Sequence, residues 1–309
     1  MGGLPSVLSL LKSLWFGRNR DREAEYQGPR VHKYPFDKTK AAGGEHFSSR
    51  NMVPDIEKTL DKGLYTATPD GSIFHDLYDG QRFVDKGKGR ILLEVLHTPG
   101  HTVDSICLYL PLDRALYTAD TVLGHGTAVF EDLSTYMASL NKMLRYHHTA
   151  STSPVASVSS SSPPVESQGE AEVVLNSEYD MLYPGHGAIL MNGSETIATY
   201  IKHRMEREAQ IIEALRLPVP IEFQSSEVHA TNTDGQQQQQ QPWTLWNLVR
   251  YIYQSYPENL WLPATRSVHL HLKKLEGEGF VRSVGGEGKD MIWELVAVPS
   301  SNSTNISNL

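Results

Sequence analysis

Three strand-like segments of the sequence end in side chains that can bind a metal, and this pattern constrains the fold more than any other feature. In chain order the junctions are His97-Thr98-Pro99-Gly100-His101-Thr102 after residues 91–96, Asp120 at the end of the strand from Ala115, and Tyr183-Pro184-Gly185-His186-Gly187 after residues 178–182. Proline and glycine beside a histidine make tight turns that can aim its ring over the strand ends. Because imidazole and carboxylate are ligands that Zn²⁺ prefers, we predict that these junctions carry metal ligands.

Composition describes a globular protein rather than a fibrous, disordered or nucleic-acid-coating one. The chain has 309 residues, with 28 Lys and Arg against 36 Asp and Glu, and a net charge of -8. This acidic balance argues against bulk attraction to nucleic acid or to anionic lipid. The single Cys107 cannot form an internal disulfide. No apolar run reaches the roughly 18 residues of a membrane span, so we expect no membrane partner.

Changes in composition divide the chain into domains and linkers. We predict a mixed α/β (α+β) domain over 1–224, with a disordered Ser/Pro-rich insertion near 149–171. A linker over 225–242 contains six consecutive Gln, a second small domain covers 243–296, and 297–309 form a disordered tail.

Local patterns place helices and strands within these domains. Helical spacing of apolar residues predicts helices over 4–16, 133–145 and 195–215. The turn dipeptide Asp79-Gly80 predicts a hairpin between residues 72–78 and 82–86.

The C-terminal pattern, two helices followed by a hairpin, resembles a winged helix. Thr244 is expected to cap the first helix, and 280–284 is expected to pair with 291–296. Its basic and acidic residues are balanced, so it lacks the basic footprint of a DNA-binding module. We expect a lid or scaffold and no DNA partner.

The sequence around these junctions resembles the metallo-β-lactamase superfamily, within it the lactamase-beta-2 group of endoribonuclease-like proteins and fungal lactamase-like polyketide thioesterases. The motifs that carry the likeness are residues 97–102, 117–120, 123–133, 183–187, 200–204, 257–260 and 270–276. The resemblance implies an αββα sandwich with two zinc ions. It implies that His101 binds one ion, His186 the other, and Asp120 bridges both as the catalytic carboxylate beside the attacking water.

The chain departs from the family pattern at the run H-x-H-x-D-H, which occurs nowhere in it. In relatives that run precedes a glycine pair and an apolar helix, which resemble Gly2-Gly3-Leu4. The resemblance therefore implies an N-terminally truncated sandwich without its first strands, with one zinc ion or none. A mis-chosen start codon, a truncated gene model and a short isoform would each give this sequence.

These features lead to a functional hypothesis with alternatives. The expected activity is zinc-dependent hydrolysis of a thioester in fungal secondary metabolism, or of a phosphodiester such as RNA, impaired here by the missing ligands. An acyl carrier protein of a polyketide synthase is the expected protein partner of a thioesterase. The alternative is a catalytically inactive interaction protein or a fragment of a longer enzyme. We expect a cytoplasmic location, or a mitochondrial one for the full-length family.

Two further histidines near the junctions are given different roles. His97 is expected to be a packing residue that points away from the ligands. His125 lies in a Gly-flanked loop close to Asp120 in sequence and is our candidate for substrate binding.

Overall fold

The computed structural model describes residues 3–35, 56, 58–146, 179–223 and 241–296. The predicted insertion near 149–171, the tail 297–309 and residues 225–240 of the predicted linker lie outside the described residues. The described α-helices are α1 (Leu4–Arg18), α2 (Leu133–Leu144), α3 (Gly193–Arg216), α4 (Leu245–Ile252) and α5 (Trp261–Gly277). The first six strands are β1 (Val31–Lys33), β2 (Phe74–Asp76), β3 (Arg82–Val84), β4 (Ile91–His97), β5 (Ile106–Leu110) and β6 (Ala115–Ala119). The others are β7 (Met181–Pro184), β8 (Leu190–Met191), β9 (Trp243–Thr244), β10 (Val281–Gly285) and β11 (Ile292–Leu295).

A six-stranded sheet in the order β3-β4-β5-β6-β7-β8 positions the predicted site. Strand β5 is antiparallel to both β4 and β6, and β6 is parallel to β7. Strands β4, β6 and β7 therefore run in one direction, and their carboxyl ends lie at one edge of the sheet. The junctions that carry His101, Asp120 and His186 follow these three strands.

Strands are present at all three predicted junctions, although the third covers Met181–Pro184 rather than residues 178–182. The predicted hairpin around Asp79-Gly80 is wrong. Strand β2 pairs in parallel with β1, whereas β3 pairs with β4. The Arg82 side chain donates to the carboxylate of the buried Glu94 across the β3–β4 pair at 2.6 Å. A buried carboxylate needs such a partner, which favours this pairing.

The described residues form two compact units. The first comprises Met1–Glu131 and Ala138–Thr196, and the second comprises Asp132–Met137 and Ile197–Leu309, in their described parts. Most of α3 therefore belongs to the second unit, and the predicted border at 224 remains a prediction.

The first unit buries one face of its sheet and leaves part of the other face accessible. Leu96, Cys107, Leu116 and Leu182 are buried. On the opposite face, Tyr117 lies between Leu108 and Tyr183 in the strand register and is 39% exposed.

Helix α1 of the first unit also has one packed and one exposed apolar side. It buries Leu8 in a small core with Leu60, Leu64, Tyr65 and Ile73. Four other apolar residues of the helix, Val7, Leu10, Leu11 and Leu14, are exposed. Among the residues described, no helix combines the length and apolar character needed to cross a bilayer.

The second unit is built on helices α4 and α5 with a hairpin after them, as predicted. Thr244 accepts a hydrogen bond from the Asn247 backbone N–H and caps α4. Strand β10 pairs antiparallel with β11, which also pairs with β9. The core of this unit includes Leu248, Val268, Leu272 and Trp293, together with Ile211 from α3.

A buried ionisable cluster in the second unit makes its stability depend on pH. The Nδ1 atom of His271 lies 3.4 Å from Glu208 Oε1, and Lys274 Nζ donates to Glu208 Oε2 at 2.9 Å. Burial lowers the pKa of His271 below its usual range and outweighs the opposing effect of Glu208. Since the folded pKa is below the unfolded one, the folded state binds fewer protons, and stability is lost as the pH falls through about 6.5.

We predict that the urea midpoint of this unit falls when the pH drops from about 7.5 to about 5.5, a range that brackets the ordinary imidazole pKa. The fluorescence of Trp243, Trp246, Trp261 and Trp293 reports the transition, since four of the five tryptophans lie in this unit. His271→Gln, which does not titrate in this range, should flatten the dependence. An equal pH slope in wild type and variant would contradict the assignment.

Candidate functional site

The His101 side chain is held over the sheet edge by backbone contacts on both sides of its loop. The preceding strand ends at His97, and Gly100 takes a φ of 135° that favours glycine. The buried Ser139 donates its hydroxyl to the Pro99 carbonyl at 2.7 Å. His101 Nδ1 lies 2.7 Å from the carbonyl oxygen of Val129. A carbonyl can only accept, so Nδ1 carries the proton and Nε2 is the atom turned towards Asp120.

Asp120 follows a strained backbone position and fits against a glycine. Ala119 has a φ of 47°, which is uncommon for a residue with a side chain. A Cβ atom at Gly185 would lie 2.6 Å from Asp120 Oδ1 and 3.1 Å from the carbonyl carbon of Ala119. Gly185 also donates its N–H to the Ala119 carbonyl at 2.7 Å. The β7 loop can approach the carboxylate this closely because residue 185 has no side chain.

His186 lies in a second loop that is tied to the segment after Asp120. Its carbonyl accepts a hydrogen bond from the Gly124 N–H at 2.8 Å, and Gly124 forms a β-bridge with Gly187. A Cβ atom at Gly124 would lie 2.1 Å from the carbonyl oxygen of Ala188. Glycine is therefore required at 124 for the two loops to touch.

The three predicted ligands come together with Asp120 in the middle. His101 Nε2 lies 3.6 Å from Asp120 Oδ2, and His186 Nε2 lies 3.5 Å from Asp120 Oδ1. Both distances exceed the roughly 3.2 Å limit of an ordinary N–H···O hydrogen bond. Two ligands about 2.1 Å from one tetrahedral ion would lie about 3.4 Å apart. Each imidazole–carboxylate pair is thus spaced as two ligands of one metal ion.

Solvent access differs among the three side chains. His101 and Asp120 are partly covered, with 28% and 37% of their side-chain surface exposed, whereas His186 is 76% exposed. Within the described residues, no group of three or more His, Cys, Asp or Glu side chains is placed to hold a single ion. The described residues bring together two imidazole–carboxylate pairs, each with one nitrogen and one oxygen.

The structure places the remaining candidates outside this group. His97 Nε2 lies 3.0 Å from the Val103 carbonyl oxygen, and its ring stacks on Tyr34 at 4.0 Å, so the predicted packing role is confirmed. His125 is exposed and follows the Gly124 bridge. Its role in substrate binding remains a prediction. Burial raises the pKa of Cys107 to about 11, which leaves little thiolate near neutral pH.

Two features of the site were not predicted from the sequence. The Val129 carbonyl acts through its backbone, so its residue type gives no signal. Gly185 lies in a Pro-Gly turn, which suggests backbone freedom, yet its function here is to leave space for the Asp120 carboxylate. The only sequence signal for this function was that Gly185 directly precedes the predicted ligand His186.

Comparison with protein families agrees with this geometry. Residues 22–186 match the family model of the metallo-beta-lactamase superfamily, which is more than half of the chain. The chain belongs to the metallo-beta-lactamase superfamily. Members of this superfamily generally bind metal ions. Residues 244–293 match the beta-lactamase associated winged helix domain, which confirms the winged helix predicted for the C-terminal region.

Individual proteins similar to this one extend the comparison. The chain is 31% identical over 208 residues to the "Beta-lactamase-like protein 2 homolog" of Drosophila melanogaster, with 67% of this chain and 52% of the relative covered. It is 33% identical over 174 residues to the "Atrochrysone carboxyl ACP thioesterase" of Aspergillus chevalieri, with 55% and 45% covered. The chain thus spans about half the length of these curated relatives. Among solved structures, a metallo-beta-lactamase family protein from Thermus thermophilus aligns with a TM-score of 0.46 and 16% identity, covering 86% of this chain and 72% of that one.

We predict that Gly185→Ala weakens metal binding by about 10-fold to 100-fold, as loss of a supporting contact around a metal ligand typically does. The new Cβ would overlap Asp120 Oδ1 and displace the carboxylate. Affinity can be measured by competition with a chromophoric chelator. Gly17→Ala is the matched control because a Cβ there meets nothing within 4 Å. Equal affinities for Gly185→Ala and wild type would show that the carboxylate position does not matter.

Proposed function

We propose that this chain is a zinc-dependent hydrolase of thioesters, with His101, Asp120 and His186 as its metal-binding side chains. The observation that carries the proposal is the pair of N···O distances, 3.5 and 3.6 Å, on the two oxygens of one carboxylate. Membership of the superfamily supports hydrolase activity at the family level. The similarity to a fungal protein named as a thioesterase supports the thioester as the substrate class.

The chain's own side chains would bind and orient the reacting groups. Asp120 Oδ2 with His101 Nε2, and Asp120 Oδ1 with His186 Nε2, would hold the zinc. When bound, zinc supplies Lewis acidity and lowers the pKa of water. The Val129 carbonyl keeps the proton of His101 on Nδ1, so Nε2 keeps its lone pair for binding. His186, with most of its side chain exposed, would be the most solvent-accessible of the three ligands.

Two ligand atoms per ion from the described residues lead us to expect weak metal affinity. Catalytic zinc sites usually have three protein ligands. We therefore expect slow turnover from this chain alone, and an acyl thioester of a carrier protein or of a small thiol as substrate. His125 is proposed to contact that substrate from the adjacent loop.

A phosphodiester is the second candidate substrate, because the same metal chemistry cleaves both bonds. The net charge of -8 disfavours an RNA backbone, which binds best to a basic surface. The winged helix unit also pairs its exposed basic residues with acidic ones, as in Arg282 with Glu294 and Lys273 with Glu276. For these reasons we rank the thioester first.

The test combines metal content with activity. We expect purified protein to bind zinc in equilibrium dialysis, with the metal quantified by mass spectrometry, and to release thiol from an acyl N-acetylcysteamine thioester in the presence of zinc. Asp120→Asn keeps the size of the side chain but removes its charge. It should lower kcat/KM for the thioester by more than about 100-fold, because a metal ligand matters more than the outer contacts that typically cost 10-fold to 100-fold.

The matched control for the ligand variants is His203→Ala. His203 is an exposed histidine on α3, and its removal should leave zinc content and thioesterase activity unchanged. Absence of both zinc and turnover in the wild type would overturn the proposal in favour of an inactive interaction protein. Hydrolysis of bis(p-nitrophenyl) phosphate without thioester cleavage would favour the phosphodiester.

A further inference from the structure

A short segment after Asp120 contacts both histidine loops. At its start, Gly124 donates its N–H to the His186 carbonyl at 2.8 Å. At its end, Glu131 donates its N–H to the Gly100 carbonyl at 2.6 Å. Between these bonds, the Val129 carbonyl accepts from His101 Nδ1 at 2.7 Å. We call residues 124–131 the clasp segment.

The clasp segment is anchored by side chains on either side of the carbonyl that faces His101. Ala128 and Phe130 are 2% and 3% exposed, whereas the Val129 side chain is more than half exposed. Because a buried phenylalanine side chain holds its position through apolar packing, Phe130 fixes the backbone next to Val129. The contact with His101 therefore depends on the burial of Phe130 and on the Val129 main chain, and not on the Val129 side chain.

We infer that the clasp segment is a positioning element that fixes His101 in the Nδ1–H tautomer before any metal binds, with Phe130 as its anchoring residue. The inference rests on the proposed function in one respect only, namely that the unprotonated Nε2 atom binds zinc. A neutral imidazole carries its proton on one nitrogen, and the hydrogen bond to one nitrogen decides which atom is left to bind. Because the same segment is hydrogen-bonded to the His186 loop, it also fixes the position of the two histidine loops relative to each other.

The tautomer can be read directly in the metal-free full chain by nitrogen-15 chemical shifts of the imidazole, at a pH well above the ordinary imidazole pKa of about 6.5. The His101→Gln variant assigns the signal. We expect wild type to show a protonated Nδ1 and an unprotonated Nε2. An Nε2–H tautomer, or an average of the two, in the wild type would overturn the inference.

Variants at 129 and 130 separate the clasp from a general effect on folding. Phe130→Ala should lose the fixed tautomer and weaken zinc binding by about 10-fold or more, as measured by chelator competition. Phe130→Leu refills most of the buried volume and should restore both readouts. Val129→Ala keeps the carbonyl and should behave as wild type. If Phe130→Ala retains both the tautomer and the affinity, the anchoring role is wrong.

A second pair of variants applies should Phe130→Ala fail to fold. Glu131→Pro removes the N–H that bonds to Gly100, whereas Glu131→Ala keeps it. Only the proline variant should lose the tautomer, and equal spectra for the two would overturn the inference.

The proposed function and the proposed role of the clasp segment can be rejected separately. A fixed Nδ1–H tautomer in a protein that binds no zinc rejects the proposed function alone, and zinc binding with an Nε2–H tautomer rejects the clasp alone.

Discussion

The position of one carboxylate between two imidazoles is the constraint on which the site depends. Asp120 faces His101 and His186 with different oxygens, at distances too long for hydrogen bonds and close to the separation of two ligands on one ion. This arrangement follows from the topology, because β4, β6 and β7 run in the same direction and end at one edge. Glycines at 124 and 185 then let the loops approach within contact distance.

The sequence predicted the parts of the site that depend on residue type and strand position. Apolar runs ending in Pro-Gly-His or in Asp predicted the strands and the junctions with metal-binding side chains, and the resemblance to the superfamily selected His101, Asp120 and His186 among them. The hairpin around Asp79-Gly80 was wrong because a turn dipeptide reports only local geometry. The pairing of β3 depends on a contact outside the turn, because Arg82 donates a hydrogen bond to the buried Glu94 of β4. The Val129 carbonyl was not predictable at all, since every residue type has a carbonyl.

Composition and packing report different properties of a chain. Polar and low-complexity stretches contain few apolar side chains to bury, and the stretch after residue 224 led to the predicted domain border there. Packing depends on which apolar faces meet, and Ile211 of α3 lies in the same core as Leu248 of α4 and Trp293 of β11. The winged helix therefore includes in its core a helix that precedes the predicted linker. Its buried Glu208, from that same helix, satisfies Lys274 and His271 of α5.

A metal centre with few protein ligands depends strongly on how each one is oriented. In the proposed centre, the described residues would offer each ion one imidazole nitrogen and one carboxylate oxygen, so no third described ligand would compensate for a misplaced one. Binding then carries the full cost of ordering each ring, unless the protein has already ordered it in the folded state. The Val129 carbonyl and the buried Phe130 do this for His101, and the Gly124 bridge holds the loop of His186. Pre-orientation by the clasp segment should therefore contribute more to affinity here than it would in a centre with three or four ligands per ion.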